Sequence, residues 1–300
     1  MRTITHPYAE LKGGATGGAS GGEWVRGNLH AHTTASDGSR PIQEVVSDYA
    51  ARGYGFLMIS DHDILTGPDE YARVTAGDMT LIPGNEVTKN GPHLLHVNAS
   101  RLIAPDPIRQ NVFSAIAADT GFAIVNHPNW LADFNHCPIE RMREWVPYAG
   151  LEIYNGTIGR LDGSPYATNK WDLLLSAGRR VWGFANDDSH LPENDVELGW
   201  NTVYTADRSI EAIVDALARG RFYASTGVTI ESIEVEDDTI RVVAPNAEKI
   251  VALMQVGRRF AETRGNSIEV RVPENAQYVR FECWGAGESF AWTQPFFVEG

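Results

Sequence analysis

The residues of this chain best suited to chemistry are histidines and carboxylates that follow short apolar runs. They are His30 and His32, Asp61 and His62, Glu86, His127, then Asp188 and His190, with His93 joining from within a run of its own. Imidazole nitrogens and carboxylate oxygens are ligand types for divalent transition metals. His30 and His32 are two apart, which on a strand puts both rings on one face, where they can share a cation. A bare His-x-His is common, but this one ends an apolar run and precedes Asp37-Gly38. Asp61-His62-Asp63 follows Phe56-Leu57-Met58-Ile59 in the same way, and Asp63 reads equally well as a cap. Glu86 follows Leu81-Ile82-Pro83-Gly84, and a carboxylate placed there can bridge two cations. His93 and His96 fall on opposite faces of one strand, so one of the two is expected at the site. His127 lies in Asn126-His127-Pro128, where the proline stiffens the turn that presents it. The Asp-x-His pair in Asn186-Asp187-Asp188-Ser189-His190 can serve two adjacent metals. His6 and His136 lie off the run ends and read as ordinary histidines.

Seven apolar runs must position these groups: 24–29, 55–59, 79–83, 93–97, 122–125, 151–154 and 181–184. Each has strand length and the aliphatic or aromatic character of a strand buried on both faces. Between them, Ile42, Val45, Val46 and Tyr49 follow a helical spacing, with Pro41 at its start and Gly53 as its stop. Similar helical stretches are expected over 107–119, 138–146, 168–177 and 209–219. Strands inside and helices outside give an α/β barrel or a doubly wound sheet. In a parallel barrel the carboxyl ends of the strands share one mouth, so ligands far apart in sequence converge there.

After Ser225-Thr226-Gly227 the texture changes to short alternating strands, expected over 229–235, 239–243, 250–256, 267–272, 278–284 and 291–297. This predicts a small β-sandwich-like domain over 228–300, after a catalytic domain over 23–227 and a flexible, glycine-rich leader over 1–22. Trp284, Trp292 and Phe296-Phe297 read as core of the tail, which is expected to cover one side of the main domain or to mediate dimerisation.

The composition, 43% hydrophobic and 21% charged, contains no apolar run near the roughly 18 residues that a membrane span needs. A net charge of -14 argues against nucleic acid as the main partner. It leaves room for a small anionic substrate, because bound cations reverse the local potential. Cys137 and Cys283 are the only cysteines and form neither a disulfide framework nor a CxxC site, which suits a cytoplasmic protein. The first 22 residues have no apolar core of a signal peptide.

Taken in order, His30-Ala31-His32-Thr33-Thr34-Ala35-Ser36-Asp37-Gly38, Ser60-Asp61-His62-Asp63, Gly84-Asn85-Glu86-Val87-Thr88, His93-Leu94-Leu95, Asn126-His127-Pro128 and Asn186-Asp187-Asp188-Ser189-His190 form a specific set. The set resembles the PHP (polymerase and histidinol phosphatase) superfamily, most of all its CehA/McbA-like metallohydrolases. The resemblance implies a distorted (β/α)7 barrel with two to three divalent metal ions, drawn from manganese, iron and zinc. One metal would take His30, His32, Glu86 and Asp188. A second would take Asp37, His62 and His127, and a third would share Glu86 with His93 and His190. His96 stands as the alternative to His93.

Clustered cations lower the pKa of a bridging water, hold a hydroxide for in-line attack and neutralise developing charge, so no serine or cysteine nucleophile is required. Asp188 and His190 are then the expected catalytic side chains, with His190 or a metal-bound water as proton donor. Three clustered metals suit a phosphomonoester or small phosphodiester. The alternatives are a carbamate, ester or amide hydrolase and a metal- or ligand-binding protein without turnover. Arg160, Lys170 and Arg221 are the basic residues expected to meet a phosphate at the mouth.

Overall fold

The computed structural model describes residues 2–9 and 22–300. Its strands are β1 (Thr3–Thr5), β2 (Glu23–Asn28), β3 (Phe56–Leu57), β4 (Thr80–Leu81), β5 (Gly84–Val87), β6 (Leu94–Val97), β7 (Phe122–Val125), β8 (Gly150–Asn155), β9 (Trp182–Asn186), β10 (Trp200–Thr205) and β11 (Phe222–Ser225). The tail adds β12 (Ser232–Glu236), β13 (Thr239–Val243), β14 (Ala247–Met254), β15 (Arg258–Arg264), β16 (Ser267–Arg271), β17 (Tyr278–Gly285), β18 (Phe290–Thr293) and β19 (Phe296–Glu299). The helices are α1 (Ile42–Ala51), α2 (Pro68–Tyr71), α3 (Arg109–Ala117), α4 (Ile139–Glu144), α5 (Thr168–Ser176) and α6 (Ile210–Ala218).

All seven expected runs supply strands, and α1 buries the expected Val45, Val46 and Tyr49. The closed parallel barrel does not form. One sheet runs β4-β3-β2-β10-β11 and continues into the tail, while a second runs β5-β6-β7-β8-β9. Only β2-β3-β4 and β7-β8-β9 are parallel; β6 is antiparallel to both of its neighbours, and β10 is antiparallel to β2. Pro83 separates β4 from β5, and a residue without an N–H cannot continue a ladder, so the chain changes sheet there. Two single bridges, Ala31 to Ser189 and His62 to Glu86, stitch the sheets together at the ends of β2 and β3.

Between the sheets lies a core of Val25, Leu29, Phe56, Met58, Leu95, Val97, Ile124, Phe184, Val203 and Phe222, all buried. Gly121 opens β7 at a φ of +79°, and a Cβ there would sit 1.7 Å from the Val97 carbonyl oxygen, so only glycine fits this turn. Ser209, the first residue of the helical stretch expected over 209–219, caps α6 by accepting from the Ala212 N–H at 3.2 Å.

Two strands that the sequence reading passed over, β10 and β11, carry the first sheet into the tail, where β11 pairs with β18. The three-stranded sheet β12-β13-β16 encloses a second core with β14, β17 and β19. The expected strand over 250–256 is longer at its start, β15 follows it unannounced, and the expected strand over 291–297 is two strands, β18 and β19. Trp292, Phe296 and Phe297 are buried as core, whereas Trp284 is half-buried under the Lys249 ammonium, 3.5 Å above its ring. The stretch expected as a leader also contains structure: β1 pairs with β19, and Tyr8 is buried with its hydroxyl donating to the Phe222 carbonyl at 2.8 Å. Most of its glycines, including Gly13-Gly14 and Gly17-Gly18, lie outside the described residues. Among the described residues no helix is long and apolar enough to cross a membrane.

The tail is locked to the main body by a buried ion pair. Arg280 on β17 donates from Nε and Nη2 to the two oxygens of Asp172 on α5, at 2.7 and 2.6 Å, and Tyr278 donates its hydroxyl to the same carboxylate. Removing one member of such a pair strands a charge in the interior. Arg280→Ala is therefore expected to cost about 3–5 kcal/mol in denaturant unfolding, with part of the loss recovered when Asp172→Ala is added.

Candidate metal centre

Backbone geometry at the ends of β2 and β9 brings the first ligands together. His32 N donates to the Ser189 carbonyl at 2.8 Å and Asp188 N to the His30 carbonyl at 2.9 Å. As a result His30 Nε2 and His32 Nε2 each lie 3.1 Å from Asp188 Oδ1. Glu86, fully buried on β5, reaches the imidazoles around it. Its Oε1 lies 3.4 Å from His30 Nε2, 3.2 Å from His93 Nδ1 and 3.3 Å from His127 Nε2, and its Oε2 lies 2.7 Å from His62 Nδ1. Asp37 stands between His62 Nε2 at 3.3 Å and His190 Nε2 at 3.4 Å.

These separations are short, yet His30 Nε2, His32 Nε2, His62 Nδ1, His93 Nδ1, Glu86 Oε2 and Asp188 Oδ1 are buried without an aligned hydrogen-bond partner. Buried polar atoms are ordinarily satisfied, so a convergent set of orphans fits divalent cations. The ligand atoms of His30, His32 and Asp188 lie within 4.8 Å of one another, as do those of His30, Glu86 and His127, of His62, Glu86 and His93, and of His32, Asp37, His62 and His190. Of the first expected group, His30, His32 and Asp188 stand together, with Glu86 Oε1 3.4 Å from His30 Nε2. His190 stands with His32, Asp37 and His62, and His127 with His30 and Glu86. The Ala31 to Ser189 bridge explains this, because it holds His190 over His32, with ring centroids 4.2 Å apart.

His93 is the fourth-run histidine at the site, and His96 turns away to place Nε2 3.0 Å from the Thr120 carbonyl. Asp61 holds the loop that carries Asp37, accepting from Thr33 N at 2.8 Å, Thr33 Oγ1 at 2.7 Å and Ser36 Oγ at 2.6 Å. Asp63 fastens its own turn to Thr88. His6 packs on Phe296, far from the centre in the fold, as expected. His136 departs from its ordinary reading: its Nε2 accepts from His93 N at 3.0 Å, and its ring stands 5.0 Å from that of His127. Burial, with His127 and His93 nearby, pushes its pKa down to about 2, so it stays neutral.

The sequence reading missed Glu152 on β8. Buried, it accepts from His30 Nδ1 at 2.7 Å, His127 N at 2.8 Å, Asn155 Nδ2 at 2.8 Å and Asn186 Nδ2 at 2.9 Å. It fixes the His30 tautomer so that the Nε2 lone pair faces Asp188 and Glu86. A glutamate inside the apolar run Leu151-Glu152-Ile153 was the available signal, since unpaired carboxylates avoid interiors. His127 and Asp188 both hold positive φ, 26° and 57°, the kind of strain that a functional site retains.

The fields are strong. Burial opposes the charged form of His30, but Asp188, Glu152 and Glu86 outweigh it and hold its pKa well above the usual value. Burial likewise opposes charge on His62, which Asp37 and Glu86 nevertheless raise to about 10. Against their own burial, Glu86 is held well below the ordinary range mainly by His30 and His93, and Asp188 is lowered by His30 and His32.

The centre opens into a cavity of about 280 Å³ walled by Trp130, Thr157, Ile158, Arg160 and Leu161. Of the three basic residues expected there, Arg160 alone reaches it, already paired with Asp195. Lys170 is spent inside, donating to the carbonyls of Pro128, Phe134 and Cys137. Arg221 pairs with Asp215 and lines a separate recess with Tyr204 and Thr205.

Compared with known proteins, the chain matches no family model. A two-domain protein of Bacteroides vulgatus, described as containing a predicted PHP-like metal-dependent phosphoesterase, superposes with a TM-score of 0.56 over 92% of this chain and 96% of its own, at 16% identity. The chain has a PHP-like fold. A Chromobacterium violaceum amidohydrolase overlaps less, with a TM-score of 0.44 over 57% of this chain and 89% of its own at 15% identity. In sequence, 77 residues are 38% identical to a 5'-3' exoribonuclease of Haemophilus influenzae, covering 24% of this chain. The match spans only 28% of that relative's length. Within the PHP-like fold, the donor set around Glu86 marks the working face. Glu152→Gln is expected to weaken divalent-metal affinity about 10- to 100-fold in a metal titration, with secondary structure by circular dichroism unchanged.

Proposed function

We propose that this chain is a metal-dependent hydrolase that acts as a phosphoesterase on a small phosphomonoester or phosphodiester. The observation that carries this is the convergence of buried, unsatisfied imidazole and carboxylate atoms on one small cavity. His30, His32, Asp37, His62, Glu86, His93, His127 and Asp188 would hold two to three divalent ions, with His190 kept for proton transfer. Such ions supply Lewis acidity and a reactive water at neutral pH.

The chain's own residues do the rest. Glu152 orients His30, Asn126 Nδ2 donates to Glu86 Oε1 at 2.6 Å, and Asn155 Nδ2 donates to Asp188 Oδ2 at 3.2 Å, so the ligand carboxylates are set before substrate arrives. His190 has its Nδ1 engaged with the Asp188 carbonyl at 2.8 Å, which leaves Nε2 toward the cavity. We assign it the proton that the leaving-group oxygen requires. In the overall step, water oxygen bonds to phosphorus, the bond to the alcohol oxygen breaks, and the alcohol departs with a proton. The PHP-like fold and the phosphodiester chemistry named for the exoribonuclease support the phosphate reading. The net charge of -14 and the small cavity support a small molecule over a long nucleic acid.

A second reading, hydrolysis of a carbamate, ester or amide, is favoured by one observation: Arg160, the one arginine or lysine among the described residues that lines the cavity, is neutralised by Asp195. Elemental analysis, then assays with p-nitrophenyl phosphate, a bis-ester and a carbamate or carboxyl ester, separates the two. Bound transition metal and turnover of the phosphate esters are expected, abolished by a chelator and by His62→Ala. Metal without turnover of any substrate would instead favour a binding protein. His190→Gln is expected to lower kcat about 10²- to 10⁴-fold for an alkyl phosphate and far less for p-nitrophenyl phosphate, whose leaving group needs no proton.

A further inference from the structure

Besides the candidate ligands, the cavity is walled by Trp130, Ile158 and Leu161, with the Trp130 ring against His93 and His127. Leu161 is 47% exposed although it lines the cavity, and Leu131 and Leu191, each next in the chain to a cavity-lining residue, Trp130 and His190, are 42% and 44% exposed. The connections are direct. Leu131 N donates to the Asp162 carbonyl at 3.0 Å, and Trp130 bridges to Gly163, so the loop after His127 borders the turn that carries Leu161. Leu191 N donates to Asp195 Oδ2 at 2.8 Å, and that carboxylate also holds Arg160. Large aliphatic side chains left in water around a concave site mark a surface that a ligand covers.

Charge decides what kind of ligand. Asp195, itself buried, occupies the Arg160 guanidinium and also accepts from His190 N at 2.7 Å, so this arginine braces the wall and does not wait for a free anion. Among the described residues no other arginine or lysine lines the cavity. Its volume of about 280 Å³ sits at the low end of small-molecule sites, and the reacting group fills part of it.

We propose that the departing part of the substrate is an uncharged apolar alcohol about the size of one ring, seated on Trp130, Ile158 and Leu161 and flanked by Leu131 and Leu191. This rests on the hydrolase reading and holds for a phosphate or a carboxylate ester alike. Arg160 is then a positioning residue, which fixes the 3-10 turn 157–160 against Asp195.

The test is a matched series: phosphate monoesters and acetate esters of methanol, butanol and benzyl alcohol, assayed with the metal-loaded protein. In whichever series is turned over, kcat/KM is expected to rise about fourfold per methylene, about 60-fold from methyl to butyl, as 0.8 kcal/mol per buried methylene implies. Leu161→Asn, or Leu191→Asn should the first fail to fold, is expected to halve the logarithmic slope. A binding readout needs no variant and no turnover: benzylphosphonate should bind about tenfold or more tightly than methylphosphonate in calorimetry. A flat series, or preference for esters of charged alcohols, overturns this proposal and leaves the hydrolase reading standing. No turnover in either series, nor of the matching phosphodiesters and carbamates, overturns both.

Discussion

A carboxylate without water must be surrounded by positive charge, and Glu86 meets that requirement at the seam between the two sheets. It is fully buried, with five imidazoles within 3.7 Å: His30, His32, His62, His93 and His127. An isolated ion there would be prohibitively costly. Four separate segments must therefore arrive in register, and much of the main body can be understood as the means of bringing them to one point. The raised pKa values of His30 and His62 meet part of that demand in the cation-free protein, and divalent ions would meet it with better geometry.

The seam is made by little more than two bridges, and that economy suits it. Continuous ladders would consume the backbone groups near the mouth, whereas single bridges at Ala31 and at His62 leave the following residues free to turn inward. Support comes from beneath. Glu152 holds His30, the His127 backbone, Asn155 and Asn186 at once, so ligands from three strand ends share one anchor. The positive φ values of His127 and Asp188 persist because these neighbours over-determine them.

The tail contributes rigidity where the site has none of its own. The first sheet passes through β11 into β18, and β1 closes the far edge on β19, which covers an edge that would otherwise offer unpaired backbone groups. Arg280, Asp172 and Tyr278 join the tail to α5, which follows the cavity-lining turn 157–160 in the chain. The apolar wall and the metal ligands are thus carried on loops above a braced scaffold, the usual division between variable function and fixed support.

Residue type and spacing alone determined the ligand inventory. Histidines and acids after buried runs have few structural reasons to be there, so His30, His32, His62, Glu86, His93, His127, Asp188 and His190 stood out as candidates, the resemblance added Asp37, and α1 and α6 were legible from their periodicity. Tertiary structure decided the rest. Strand direction is set by which edges meet, and local pattern does not record it, so the antiparallel β6 and the open sheets were invisible, as was which ligand-type side chains stand side by side. Whether a charge is free or spent depends on partners distant in sequence: Lys170 went to three carbonyls, Arg160 to Asp195, and Glu152 to His30 over 122 positions away. Sequence named the atoms that could hold a metal; only the packing of distant segments decided which of them face one another.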